Sequence, residues 1–183
     1  MAGELRTVDH PLVQHKLTLM RDRTTPSKDF RRLLKEVSLL LAYEATRDLA
    51  TTLRSIETPL ERMEAPVLAG KKLAIISVLR AGNGILDGML ELLPSARVGH
   101  VGLYRNEDTL EAVRYYLNLP GKMTERGAIV VDPMLATGHS AVAAVKLVRE
   151  SSPAWIRFVS LVAAPEGIAT FHQHHPDVAI ITA

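Results

Sequence analysis

The sequence predicts an α/β domain: an open, mostly parallel sheet with helices on both faces, carrying a hairpin arm. Three observations support this. Compact apolar runs such as "KKLAIISVL" (Lys71 to Leu79) and "GAIVVD" (Gly127 to Asp132) have the branched-residue content of strands buried on both faces. Such runs alternate along the chain with segments of helical spacing, the order that builds a parallel sheet. The 183 residues, 47% hydrophobic and 23% charged, are enough for one domain, residues 1–183, with a real core.

In chain order, Ser27 is read as the cap of a long amphipathic helix. Phe30, Leu33, Leu34, Val37, Leu40, Leu41 and Ala45 recur there at three and four, with Arg31, Arg32, Lys35, Glu36 and Glu44 on the polar face. A polar stretch with Pro59 and Pro66 leads to the first buried strand. Then follow a helix "GILDGMLELL" ending at Pro94, a strand "RVGHVGLY" and, after an interruption, the strand "GAIVVD". The helix "SAVAAVKLVRE", the strand "WIRFVSLVAA", a helix after Pro165 and a last strand "DVAIITA" complete the series. The interruption, Arg105 to Gly121, reads as a hairpin arm that packs against a subunit. Adjacent strand residues point to opposite faces, so at most one of Tyr115 and Tyr116 can line a site.

Composition excludes several chemistries. There is no cysteine, so disulfides, thiolate catalysis and Cys-based zinc sites are ruled out. A formal net charge of +2 gives no general attraction for polyanions, and a nucleic-acid partner is not expected. The N-terminus has no apolar signal region and no run reaches membrane length, so a cytoplasmic protein with no membrane partner is expected. His172, His174 and His175 precede Pro176 and read as a solvated turn; no metal ligand is assigned.

The stretch "VVDPMLATGHSA" carries the chemistry. Ligands of open α/β sheets bind beyond the carboxyl ends of strands, where Asp132 falls. Thr137, Gly138, His139 and Ser140 open the next helix, where free N–H groups and the helix dipole favour an anion. Asp132 would repel phosphate at close range and so suits sugar hydroxyls or a bound metal, whereas a mere turn and helix cap would also fit these residues. The loop lacks a Walker lysine, and Gly82-Asn83-Gly84 lacks the third glycine of a dinucleotide fingerprint. Arg80 follows one strand and Arg105 another, each a cation placed to meet a pyrophosphate.

"VVDPMLATGHSA", "VLRAGNGILDGMLELLPSARVGHVGLYRNEDTLE", "YYLNLP", "HPLVQHKLTLMRD", "LLAYEATRDL" and "AAPEG" together resemble the uracil phosphoribosyltransferase family over nearly the whole chain. The resemblance implies a phosphoribosyltransferase-like fold. It also implies transfer of ribose 5-phosphate from phosphoribosyl pyrophosphate (PRPP) to uracil, giving uridine monophosphate and pyrophosphate. Magnesium would be bound through PRPP, GTP would be an effector, and a homo-oligomer, a dimer or larger, is implied. Catalytic roles fall on Arg80, Arg105 and Asp132. The two arginines would contact pyrophosphate, while Asp132, Pro133, Met134, Leu135, Ala136, Thr137, Gly138, His139 and Ser140 would hold the ribose 5-phosphate. His139 stands where a second glycine is common in the family, which matters if that position needs a positive φ. The family's glycine- and aspartate-rich segment that recognises uracil lies beyond the equivalent of "DVAIITA", and residues 1–183 are expected to lack it. A PRPP-sensing RNA-binding regulator on the same fold is the alternative.

Overall fold

The computed structural model describes residues 3–105 and 112–183. Its centre is a seven-stranded sheet in the order β1 (Leu5–Thr7), β11 (Ala179–Thr182), β9 (Trp155–Ser160), β7 (Gly127–Val131), β4 (Ala74–Leu79), β5 (Arg97–Arg105) and β6 (Ala112–Asn118). Every neighbouring pair is parallel except β5 with β6. Residues Ala74 to Val78 and Gly127 to Val131 are all buried, as expected of apolar runs sandwiched between helix layers.

The strand period of two sorts those side chains into two cores. Ile75, Ile129, Val131, Val159 and Ile181 face α1 (Pro11–Arg21), α2 (Ser27–Ala45) and α3 (Asn83–Leu92). Ile76, Val78, Val130, Phe158 and Ile180 face α4 (His139–Arg149) and α5 (Pro165–His174). Helices therefore cover both faces. No helix among the described residues is long and apolar enough to cross a membrane.

Several elements differ from the sequence reading. Ser27 is the first helical residue of α2 rather than its cap: the Phe30 N–H donates to the Pro26 carbonyl at 2.9 Å, so the helix begins one residue earlier, without a side-chain cap. α1 was not foreseen, although Val13, Leu17 and Met20 form its buried stripe. The stretch before β4 is an antiparallel hairpin, β2 (Thr51–Glu57) with β3 (Arg62–Leu68), in register from Thr51 opposite Leu68 to Glu57 opposite Arg62. Every residue of β2 is exposed, so no alternation of apolar and polar residues marks it.

The second hairpin falls at the sheet edge, where β5 and β6 pair antiparallel; residues 106–111 of that arm lie outside the described residues. A register shift leaves Tyr115 unpaired between the pairs Gly102 with Tyr116 and Leu103 with Arg114. A bulge of this kind re-aims one side chain. A Cβ on Gly102 would stand 2.7 Å from the Tyr115 ring and 2.8 Å from the Tyr116 Cβ, so both tyrosines lie over the same face. This corrects the expectation that strand alternation separates them. Tyr104 joins them, its ring centroid 6.4 Å from that of Tyr115.

Phe158 and Phe171 join sheet to α5 with ring centroids 5.0 Å apart, both fully buried. Phe158→Ala should lower unfolding free energy by about 3–5 kcal/mol in urea titrations, through lost transfer energy and an unfilled cavity. A loss under about 1 kcal/mol would show that the two layers do not depend on this contact.

Candidate functional site

The sheet order makes β7, β4 and β5 neighbours, so the residues that follow or close them share one edge. Ser77 pairs with Val131 and Leu79 with Gly102 at the carboxyl ends. Asp132 therefore leaves β7 beside the turn at Arg80, and Arg105 closes β5 on the other side of β4. The three sequence-expected positions thus come together as consecutive strand ends, the usual location for ligands in open α/β sheets.

Asp132 is half-buried. Burial pushes its carboxyl up from 3.8 to about 6, against the opposing effect of a hydrogen bond from the Met134 backbone N–H. Its own N–H donates to the Val159 carbonyl at 3.1 Å, which fixes the residue to the neighbouring strand. A carboxylate so poorly hydrated is satisfied by donors brought in by a ligand, and hydroxyls supply them.

Pro133 to Gly138 form the loop before α4. The Pro133 carbonyl accepts from the Leu161 and Val162 N–H groups, each at 3.1 Å. Met134 and Leu135, as strand β8, pair in parallel with Val162 and Ala163, strand β10. The Leu135 side chain is buried, while Met134, Ala136 and Thr137 face solvent. Gly138 is the N-cap of α4, with φ of 87°, and His139 is the first helical residue. The positive φ therefore falls on the glycine, and His139 needs none. Neither Thr137 nor Ser140 caps the helix. The first intrahelical bond from this cap runs from the Val142 N–H to the Gly138 carbonyl at 2.9 Å. The N–H groups of His139, Ser140 and Ala141 are left without helical acceptors, a ready anion cradle beside the exposed Thr137 and Ser140 hydroxyls.

Across β4 from β5 to β7, the Arg80 turn is built on small residues. Arg80 is exposed and Gly82 is buried. A Cβ on Gly82 would lie 2.6 Å from the Val131 carbonyl oxygen and 2.7 Å from Ser77 Oγ, so only glycine lets this turn sit against the end of β7. Ser77 Oγ donates to Asn83 Oδ1 at 2.8 Å, fixing the start of α3. Sequence reasoning missed one contributor: the first turn of α5, where Gly167 packs on the Leu135 and Ala136 backbone. Its trace in the sequence was the stretch "AAPEG", quoted above for the family resemblance but given no role in the site.

Other features lie away from this edge. Two cavities open at the amino ends of the strands, around Trp155, Ala179 and Arg157 and around Leu73, Ala96 and Gly127. His175 is buried with Nε2 3.0 Å from the Val142 carbonyl, and His174 Nδ1 lies 2.9 Å from the Thr170 carbonyl. The expected solvated turn is instead the end of α5, with His172 and His174 helical and His175 buried. Among the described residues no group of three or more His, Asp or Glu side chains could hold a metal ion.

The family model described as uracil phosphoribosyltransferase matches residues 7–183. The uracil phosphoribosyltransferase of Legionella pneumophila (strain Lens) is 59% identical over 181 residues, covering 99% of this chain and 85% of that protein. That of Paracoccus denitrificans (strain Pd 1222) is 60% identical, covering 99% and 86%. Among solved structures, the AQ2163 protein from Aquifex aeolicus superposes with a TM-score of 0.91 at 32% identity, over 97% of this chain and 85% of that one. The purine phosphoribosyltransferase from Pyrococcus horikoshii shares the fold, with a TM-score of 0.55 at 14% identity over 82% and 83%.

The raised carboxyl of Asp132 makes a stability prediction. Its folded value of about 6 exceeds the ordinary 3.8, so ionisation opposes folding above about pH 6 and has no effect below the ordinary value. Asp132→Asn should therefore stabilise the unliganded protein by about 2 kcal/mol near pH 7.5, with the gain fading as pH falls from about 6 to below 4. A gain that persists unchanged at low pH, or a loss at neutral pH, would contradict the assigned burial cost.

Proposed function

The chain belongs to the uracil phosphoribosyltransferase family, and from that premise we propose how its residues divide the work of the reaction. The enzyme transfers ribose 5-phosphate from PRPP to N1 of uracil in pyrimidine salvage, releasing uridine monophosphate and pyrophosphate. The bond from the anomeric carbon to a pyrophosphate oxygen breaks, the bond from that carbon to N1 forms, and N1 gives up its proton. Positive charge develops on the sugar and negative charge on the leaving group, so catalysis rests on positioning and charge stabilisation.

The observation that carries the assignment is the adjacency of the β7, β4 and β5 ends, with an uncapped helix start beside the first of them. Thr137, Gly138, His139 and Ser140 hold the 5-phosphate on the open amides of α4, with Pro133, Met134, Leu135 and Ala136 shaping the approach. Asp132 accepts from the ribose hydroxyls. Arg80 and Arg105 hold the pyrophosphate, cations that meet its growing charge as the bond breaks. The donor set fits a magnesium ion carried mainly by PRPP: Asp132 is the only carboxylate between Val130 and Ser140. When bound, that ion neutralises the pyrophosphate. A cytoplasmic location and regulation by GTP belong to the same proposal, the second on the family resemblance alone.

The test is conversion of labelled uracil with PRPP. Arg80→Ala should lower kcat/KM by about 10²–10³, the usual effect of removing one transition-state donor. Asp132→Ala should weaken PRPP binding by calorimetry while leaving the melting temperature unreduced. Wild-type turnover by Arg80→Ala, or unchanged PRPP affinity in Asp132→Ala, would refute the respective role.

The partner proposed for the β2–β3 hairpin is a second copy of the chain, giving a dimer or larger assembly. Leu53, Ile56, Leu60, Met63 and Leu68 stand exposed on it, Leu60 by 96%. That is more apolar surface than a solvated hairpin normally presents. Sedimentation should find an oligomer that Leu53→Glu shifts toward monomer; a monomeric wild type would overturn the proposal.

A further inference from the structure

The loop proposed for the 5-phosphate is supported from outside its own strand. Along its length it leans on the segment that enters α5: the Pro133 carbonyl takes two N–H donors from Leu161 and Val162, β8 pairs with β10, and the Ala164 N–H donates to the Leu135 carbonyl at 2.8 Å. The line of contact ends on two glycines facing each other. A Cβ on Gly138 would lie 2.8 Å from the Gly167 carbonyl oxygen and 3.1 Å from the Thr170 Cβ. A Cβ on Gly167 would overlap the Ala136 carbonyl oxygen and lie 2.6 Å from that of Leu135. No side chain separates the two backbones.

Gly167 stands in the first turn of α5 without a positive φ, so nothing in its own conformation calls for glycine. Glycine costs a helix interior roughly 1 kcal/mol against alanine. What its absent side chain permits is the close seat of Leu135 and Ala136, the residues that lead directly to Gly138 and the open amides of α4.

Resting on the 5-phosphate assignment above, we infer that Gly167 is a positioning residue for phosphate binding, with the first turn of α5 as the fixed backstop of the loop. A methyl group there displaces Leu135 and Ala136, and with them the donors at the start of α4 relative to Asp132. The Arg80 turn is seated independently, on Val131, Ser77 and Val78 through Gly82. The two halves of the PRPP site should therefore respond differently, and that asymmetry separates a positioning role from a general structural one.

Calorimetric titrations with ribose 5-phosphate and, separately, pyrophosphate test this in four proteins: wild type, Gly167→Ala, Ala164→Pro and Gln173→Ala. Ala164→Pro removes the N–H that holds Leu135, and Gln173→Ala is an exposed control on the same helix. Gly167→Ala and Ala164→Pro should each weaken ribose 5-phosphate by about tenfold or more, with pyrophosphate affinity held within about twofold, as a misplaced cradle would produce. Gln173→Ala should change neither. Equal loss of both ligands, or unchanged ribose 5-phosphate affinity in a folded Gly167→Ala, overturns the inference. If one variant fails to fold by circular dichroism, the other decides; failure of both overturns it, because the contact would then hold the domain rather than the loop. A wild type that binds neither ligand would instead overturn the 5-phosphate assignment on which the inference rests.

Discussion

The parallel pairing of β4 with β7 is the constraint from which the site follows. Its register ends with Ser77 opposite Val131, and both strands are buried on both faces, so neither can slide without exposing a core layer. Beyond that pair the backbones part, and each must find new partners for its polar groups. The β4 chain turns sharply onto Gly82, whose missing side chain admits the Val131 carbonyl. The β7 chain runs instead along β9 and β10, through the Asp132 N–H on Val159 and the Pro133 carbonyl on Leu161 and Val162. Residues 80 and 132 thereby leave neighbouring strand ends on separately anchored loops. This suits a ligand whose two anionic ends flank a neutral sugar.

Much of the edge works against stability. A carboxyl held at about 6 by burial and a glycine in the first turn of α5, where alanine would favour the helix, are each locally unfavourable. They share one edge of the sheet. Away from it, apolar alternation sorts cleanly between two cores, and Arg149 pairs with Asp177 at 2.8 Å. Locally unfavourable choices gathered at one edge are characteristic of a binding site.

Most of the sheet, α2, α3, α4 and α5 were legible from a buried face and its period, whereas β1 and α1 were not read, although α1 too has a buried stripe. The positions of Arg80, Arg105 and Asp132 were legible because a polar residue directly after an apolar strand is a strong local signal. Other features stayed hidden for a physical reason. β2 has no buried face, so its sequence carries no alternation. The bulge at Tyr115 depends on pairing with Gly102, a partner distant in sequence. The backstop at Gly167 is a backbone contact between segments about thirty residues apart, and an absent side chain leaves little trace in composition. The order of strands, which makes the three ends consecutive, is a tertiary fact that the chain order β4, β5, β7 does not state.

The central claim is that one ligand is divided between two adjacent strand ends. Amide chemical-shift mapping with ribose 5-phosphate and pyrophosphate added separately tests it most directly. The expected result is that ribose 5-phosphate perturbs Asp132 and the amides from Ala136 to Ala141, while pyrophosphate perturbs those from Arg80 to Gly84. Both ligands acting on the same amides, or shifts centred on the Trp155 cavities at the opposite edge of the sheet, would contradict it.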